Sequence, residues 1–144
     1  MTASEWRRNL KIIICLDERK GLLFNQRRQT KDRKVIEDIA KCRSGMLYIS
    51  PFSEKLFADS EIPYVCEKNY LELAGENDFC FAESLDFLAY LESVKQITVY
   101  WWNRHYPSDV RLELNFDEMG FTLIEQTEFP GYSHEKITKE IYHR

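Results

Sequence analysis

A chain of 144 residues suits one domain, which would bury roughly two thirds of the surface its unfolded form exposes. Its 44% hydrophobic and 31% charged residues are an ordinary globular balance, and 14% aromatics point to a core filled with large rings. A net charge of −4 argues against a general nucleic-acid binder, which needs a basic surface to neutralise phosphates. Cys15, Cys42, Cys66 and Cys80 form no C-x-x-C pair, so they read as buried structural thiols rather than a disulfide or zinc framework. The opening Met-Thr-Ala-Ser-Glu-Trp-Arg-Arg stretch has no apolar core of a signal peptide, and no run reaches membrane-spanning length. The expected compartment is the cytoplasm, with no membrane partner and residues 1–9 peripheral to a single domain over 1–144.

Lys11-Ile-Ile-Ile-Cys-Leu16 is short and β-branched, as in a strand buried on both faces. Asp17 to Gly21 reads as a polar loop, and Leu22 to Asn25 leads into the most basic stretch, residues 26–34. Thr30 is placed to cap a helix over Lys31 to Cys42 with Val35, Ile36, Ile39 and Ala40 as its apolar stripe. Arg33 with Glu37 and Lys34 with Asp38 would pair on its outer face. Met46 to Ile49 is a second strand, and Ser50 to Ser53 opens a short helix carrying Leu56 and Phe57. Ile62 to Cys66 is a third strand, Asn69 to Gly75 an ambiguous turn, and Asp78 to Ala82 another short strand. A helix over Ser84 to Val94 precedes a strong strand, Gln96 to Trp102, and two further elements at Phe121 to Phe129 and His134 to Tyr142.

This alternation predicts a single three-layer α/β domain: a mainly parallel central sheet with an antiparallel C-terminal edge. The last element is in conflict, because Ile137 and Ile141 at i,i+4 spacing after Ser133 look helical on local grounds.

The order of elements resembles the dihydrofolate reductase family. The matches are the opening strand, the step Gly21 to Phe24, Asp32 in the following helix, and the strand Met46 to Ile49. They continue with the run from Phe79 through the Leu85 to Leu91 helix to Trp101, then Asp109 and the closing segment Tyr132 to Tyr142. The resemblance implies a strand for the last element, NADPH as cofactor, and an Asp32 that grips a heterocycle. Two departures argue against NADPH held in the family's manner, so no cofactor is expected. Ser50-Pro-Phe-Ser53 stands in place of the phosphate-gripping Gly-Arg-x-Thr, and proline lacks an amide donor. Ala82-Glu83 stands in place of the Gly-Gly that lets the dinucleotide approach, and its carboxylate repels a pyrophosphate. The opening and closing segments also resemble a small group of bacterial proteins labelled ribonuclease Z. That activity needs a cluster of histidines and aspartates around zinc, and His105, His134 and His143 have no such spacing, so no metal is expected.

Asp32 is the sharpest catalytic candidate. One turn before Ile36, it would point toward the sheet at the mouth of a cleft; the plain alternative is an acid favoured by the helix dipole. Arg27, Arg28 and Lys31 precede a helix N-terminus, where cations are unfavourable, which suggests a bound anion with Phe24 and Asn25 beside it. The alternative is a solvated loop. His134 and Lys136 would share one face of a terminal strand near this loop, or form a solvated edge. Of Trp101 and Trp102, one should be core and the other half-exposed; an exposed Trp102 beside Arg104 would be a stacking platform, and core packing is the preferred reading. No Gly-rich phosphate loop or nucleophile elbow is present. Three readings stand: a domain binding a small anionic or heterocyclic molecule, a nicotinamide-dependent reductase with an altered cofactor mode, and a non-enzymatic RNA or protein interaction module.

Overall fold

Strand β1 (Leu10–Leu16) alternates its side chains between two cores, and the architecture follows from it. Leu10, Ile12, Ile14 and Leu16 enter one cluster with Phe87, Ile97, Val99 and Phe121. Ile13 enters the other, with Phe57, Phe81 and Trp102. A strand buried on both faces needs covering layers, the usual setting of parallel strands. β1 is flanked in parallel by β6 (Phe79–Phe81) and β7 (Val94–Trp101). The computed structural model describes residues 8–144. The expectation for residues 1–7 lies outside them, whereas Arg8 donates to the Ala74 carbonyl at 2.6 Å and Asn9 to Glu76 at 2.8 Å.

The main sheet has seven strands, in the order β5 (Tyr64–Cys66), β4 (Leu47–Ile49), β6, β1, β7, β10 (Ile137–His143) and β9 (Thr122–Phe129). β4 runs parallel to β5 and β6. β10 runs antiparallel to both β7 and β9. The expected parallel sheet with an antiparallel C-terminal edge is thus the observed one. β10 is a strand because pairing with β7 from Thr138 opposite Trp101 to His143 opposite Gln96 satisfies its backbone on one side. A second, three-stranded sheet orders β3 (Arg27–Arg28), β2 (Gly21–Phe24) and β8 (Val110–Arg111).

The helices differ from expectation in detail. Helix α1 is Arg33–Cys42, capped by Asp32, whose side chain accepts from the Lys34 amide at 2.8 Å. The cap is therefore not Thr30, and Asp32 is not inside the helix. Val35 and Ile39 are buried, whereas Ala40 is exposed. Neither expected i,i+4 pair forms: Lys34 reaches Glu37 at 3.4 Å, and Asp38 is claimed by Lys139 at 2.9 Å. A 3₁₀ turn (Pro51–Ser53) leads into α2 (Glu54–Phe57), and the ambiguous segment holds α3 (Tyr70–Leu73). Asp86–Ser93 is 3₁₀ rather than α-helical, with a break at Tyr90. All four thiols are free; Cys80 is buried, but Cys42 is exposed and Cys15 and Cys66 are half-buried. Trp102 is core, not a stacking platform. Among the described residues no helix is long and apolar enough to cross a membrane.

Ile14 has no exposed surface at the centre of the sheet. Ile14→Ala should cost about 3 kcal/mol, read as a lower urea midpoint with an unchanged slope.

Candidate functional site

The parallel strands end along one rim, where an open sheet of this kind presents its site. β1 runs out into Asp17, which is fully buried. Its Oδ1 accepts from the Arg19 amide at 2.8 Å and the Gly21 amide at 2.7 Å. Oδ2 accepts from Gln29 Nε2 at 3.0 Å and the Tyr106 amide at 3.2 Å. Burial pushes this carboxyl up, but the donors from Gly21, Arg19, Tyr106 and Gln29 outweigh it and leave it below its ordinary value. A Cβ on Gly21 would stand 2.7 Å from Oδ2, so the chain can pass this close only as glycine. Asp17 thereby joins three segments distant in sequence. The sequence showed only a polar loop there, because the partners lie 12 and 89 residues away.

Asp32 is the second buried carboxylate, with no exposed side-chain surface. Oδ1 accepts from the amides of Lys34 at 2.8 Å and Tyr132 at 2.9 Å. Oδ2 accepts from the Ser133 amide at 2.9 Å and hydroxyl at 3.2 Å, and lies 2.8 Å from His134 Nδ1. Those contacts saturate a carboxylate. Burial pushes Asp32 up, yet the bonds from His134, Tyr132, Ser133 and Lys34 prevail and hold it far below the usual carboxylate range. Gly131 makes the approach possible, since a Cβ there would be 2.7 Å from Oδ2. His134 is buried before β10 begins, not on a solvated edge. Its ring stacks on Trp102 with centroids 4.7 Å apart, and its Nε2 shares a 3.0 Å hydrogen bond with the Tyr106 hydroxyl. Asp32 faces inward as expected, but toward the chain's own donors.

Arg28 is also engaged. Its Nε and Nη2 form a fork onto Glu83 at 2.7 and 2.8 Å, and Ser53 Oγ donates to the same carboxylate at 2.7 Å. Glu83 thus stands at the end of β6 with its charge compensated, and Arg28 covers the Phe52 ring at 5.3 Å. Arg28 and Asp32 do line one cleft, with Cys15, Phe81, Glu83 and Trp102, but its volume of about 20 Å³ holds little more than one water. Burial and the nearby Glu83 push the Cys15 thiol up.

The open space lies beside this cleft. β2 and β3 form a hairpin whose two turn residues, Asn25 (φ 51°) and Gln26 (φ 62°), are left-handed, as a tight two-residue turn requires. Asp109 Oδ2 accepts the Asn25 amide at 3.0 Å. The hairpin and the Tyr106–Pro107 segment enclose a cup of about 430 Å³ lined by Phe24, Asn25, Arg27, Arg28 and Gln29. Four expected ligand residues therefore converge. Lys31 lines the narrow cleft and a broader groove of about 770 Å³ beside α1 rather than the cup, and Lys136 is exposed, 3.4 Å from Glu128. Tyr106 and Gln29 went unnoticed in the sequence, and only their long-range bonds to Asp17 and His134 reveal them. Among the described residues no group of three or more His, Cys, Asp or Glu is placed to hold a metal ion.

The architecture defines an α/β domain with its concave surface at the carboxyl ends of parallel strands. A dihydrofolate reductase from Enterococcus faecalis, complexed with NADP(H) and RAB-propyl, matches it with a TM-score of 0.69 at 10% identity, over 96% of this chain and 97% of that one. The chain has a dihydrofolate-reductase-like fold. No family model matches and no curated protein matches, so the likeness to chains labelled ribonuclease Z has no support.

Asp17 and Asp32 stay ionised in the folded chain at pH values where the unfolded chain takes up protons. Stability should be full above about pH 4, the unfolded carboxylate value, and fall as pH drops below it. Urea unfolding at pH 7 and pH 3 reads this. Asp32→Asn should lose roughly 3 kcal/mol at pH 7 and flatten the pH dependence.

Proposed function

We propose that this protein is a binding domain for a small anionic ligand carrying a flat ring, held in the cup at the β2–β3 hairpin. The observation that carries the reading is the convergence of Phe24, Asn25, Arg27 and Arg28 on one concavity of ligand size. Arg28 is neutralised by Glu83, whereas Arg27 is exposed and forms no ion pair among the described residues. Its guanidinium suits a phosphate or carboxylate. Phe24, 42% exposed, offers a ring face, and Asn25 offers a side-chain amide, whereas Gln29 Nε2 is already spent on Asp17 and the Pro107 carbonyl. Asp32 is then a positioning residue: through His134 it fixes Tyr106, which lines the cup.

The residues present do not suit a dinucleotide bound in the manner the resemblance implies. Glu83 brings a side chain where close backbone approach is needed, and its Arg28 partner spans the cleft, so the neutralised pair fills that space. The reductase reading rests on the fold and on the neighbour's complex with NADP(H).

Thermal shift against nucleotides, folates, sugar phosphates and NADPH tests the choice. A ligand at one hundred times its Kd adds about 2.7 kcal/mol, a Tm rise on the order of 8 °C. Arg27→Ala should abolish it with the unliganded Tm unchanged. No stabilisation by any compound overturns the binding reading, and NADPH that stabilises the protein and quenches tryptophan fluorescence favours the reductase. Nucleic-acid binding that weakens steeply with salt would favour the interaction module.

A further inference from the structure

A separate cluster lies at the far end of α1, about 15 Å from Asp32 by helical rise. Lys139 sits in β10 opposite Tyr100 of β7, and its side chain, 6% exposed, crosses the Tyr100 ring to α1. There its Nζ lies 2.9 Å from Asp38 Oδ2 and 2.7 Å from Cys42 Sγ. Asp38 and Cys42 are four residues apart on one helix face. Asp38 Oδ2 also accepts from the Tyr100 hydroxyl at 2.6 Å and lies 3.6 Å from Cys42 Sγ. A buried amine is thus clamped against a solvent-exposed thiol by two fixed partners.

The distance is chemically telling. Charged N–H···O bonds reach about 2.7 Å, and sulfur is a larger atom than oxygen. Nitrogen and sulfur at 2.7 Å are closer than a non-bonded pair prefers, and a single oxygen bonded to both spans that separation. We propose that Cys42 and Lys139 are a redox modification site, joined on oxidation by a covalent S–O–N bridge.

Dioxygen is the co-reactant. The thiol R–SH, the amine R′–NH₂ and O₂ give R–S–O–NH–R′ and one water. The S–H bond, one N–H bond and the O–O bond break, while S–O and O–N bonds form. Sulfur and nitrogen each give up two electrons, and dioxygen takes four. The additional proton of the Lys139 ammonium leaves through Asp38, which already touches Nζ. Exposure of Cys42 admits the oxidant, as for other oxidisable thiols. The bridge would tie the C-terminal turn of α1 to β10, and it is independent of the ligand reading above.

Mass spectrometry of a non-reducing digest of the aerobically purified chain tests it. The expected product joins the Cys42 and Lys139 peptides, with one oxygen gained and two hydrogens lost relative to their sum. It should vanish with dithiothreitol, be absent after anaerobic purification, and not form in Cys42→Ser or Lys139→Arg. The urea midpoint of the oxidised protein should fall to the reduced value on adding dithiothreitol. Two results overturn the proposal: Cys42 oxidised by air or peroxide with no cross-link, or a cross-link that lost two hydrogens and gained no oxygen, which is a direct S–N bond.

Discussion

Two buried carboxylates hold the rim of this fold together. Asp32 joins the start of α1 to residues 132–134, a hundred positions later, and Asp17 joins the end of β1 to Gln29 and Tyr106. Neither charge is tolerable in an apolar interior alone; each is stable because three or more donors converge on it. The converse also holds. Loop backbones that would otherwise be free are ordered by the need to supply those donors, so the walls of the cup inherit their positions from groups that face away from it.

That arrangement turns Asp32 from the heterocycle grip that the resemblance implies into a brace for the chain's own loops. Asp32 keeps its place at the head of the helix and its inward direction, but its lone pairs are spent on the closing segment. Arg28 likewise keeps its place but gives its fork to Glu83. The cup that gathers the basic hairpin residues is lined by that hairpin, outside the central cleft.

The central strands were legible because runs such as Lys11 to Leu16 and Gln96 to Trp102 are short and apolar on both faces, as strands of a sheet covered on both sides are. β10 was not decided by pattern alone. Ile137 and Ile141 stand four apart, which is one helical turn and also two strand periods, and pairing with β7 chooses between them. The helix start was misplaced because Thr30 and Asp32 are both fair caps, and Asp32 prevails through its bonds to residues 132–134. The hairpin was hidden because Asn25-Gln26 lacks the glycine that usually marks such a turn. Burial of His134 and the pairing of Asp38 with Lys139 are contacts across about a hundred residues, which local spacing does not encode.

The Arg28–Glu83 fork has a consequence for how the narrow cleft could ever be widened. Replacing Glu83 by a small residue on its own strands a half-buried guanidinium, and replacing Arg28 alone strands a carboxylate with only Ser53 beside it. Removing both together avoids the stranded charge, though it leaves the buried Ser53 hydroxyl without its acceptor, so the two positions are coupled rather than additive. A lineage or a designer must change both sides together, and the closed state is therefore self-locking against one-residue drift.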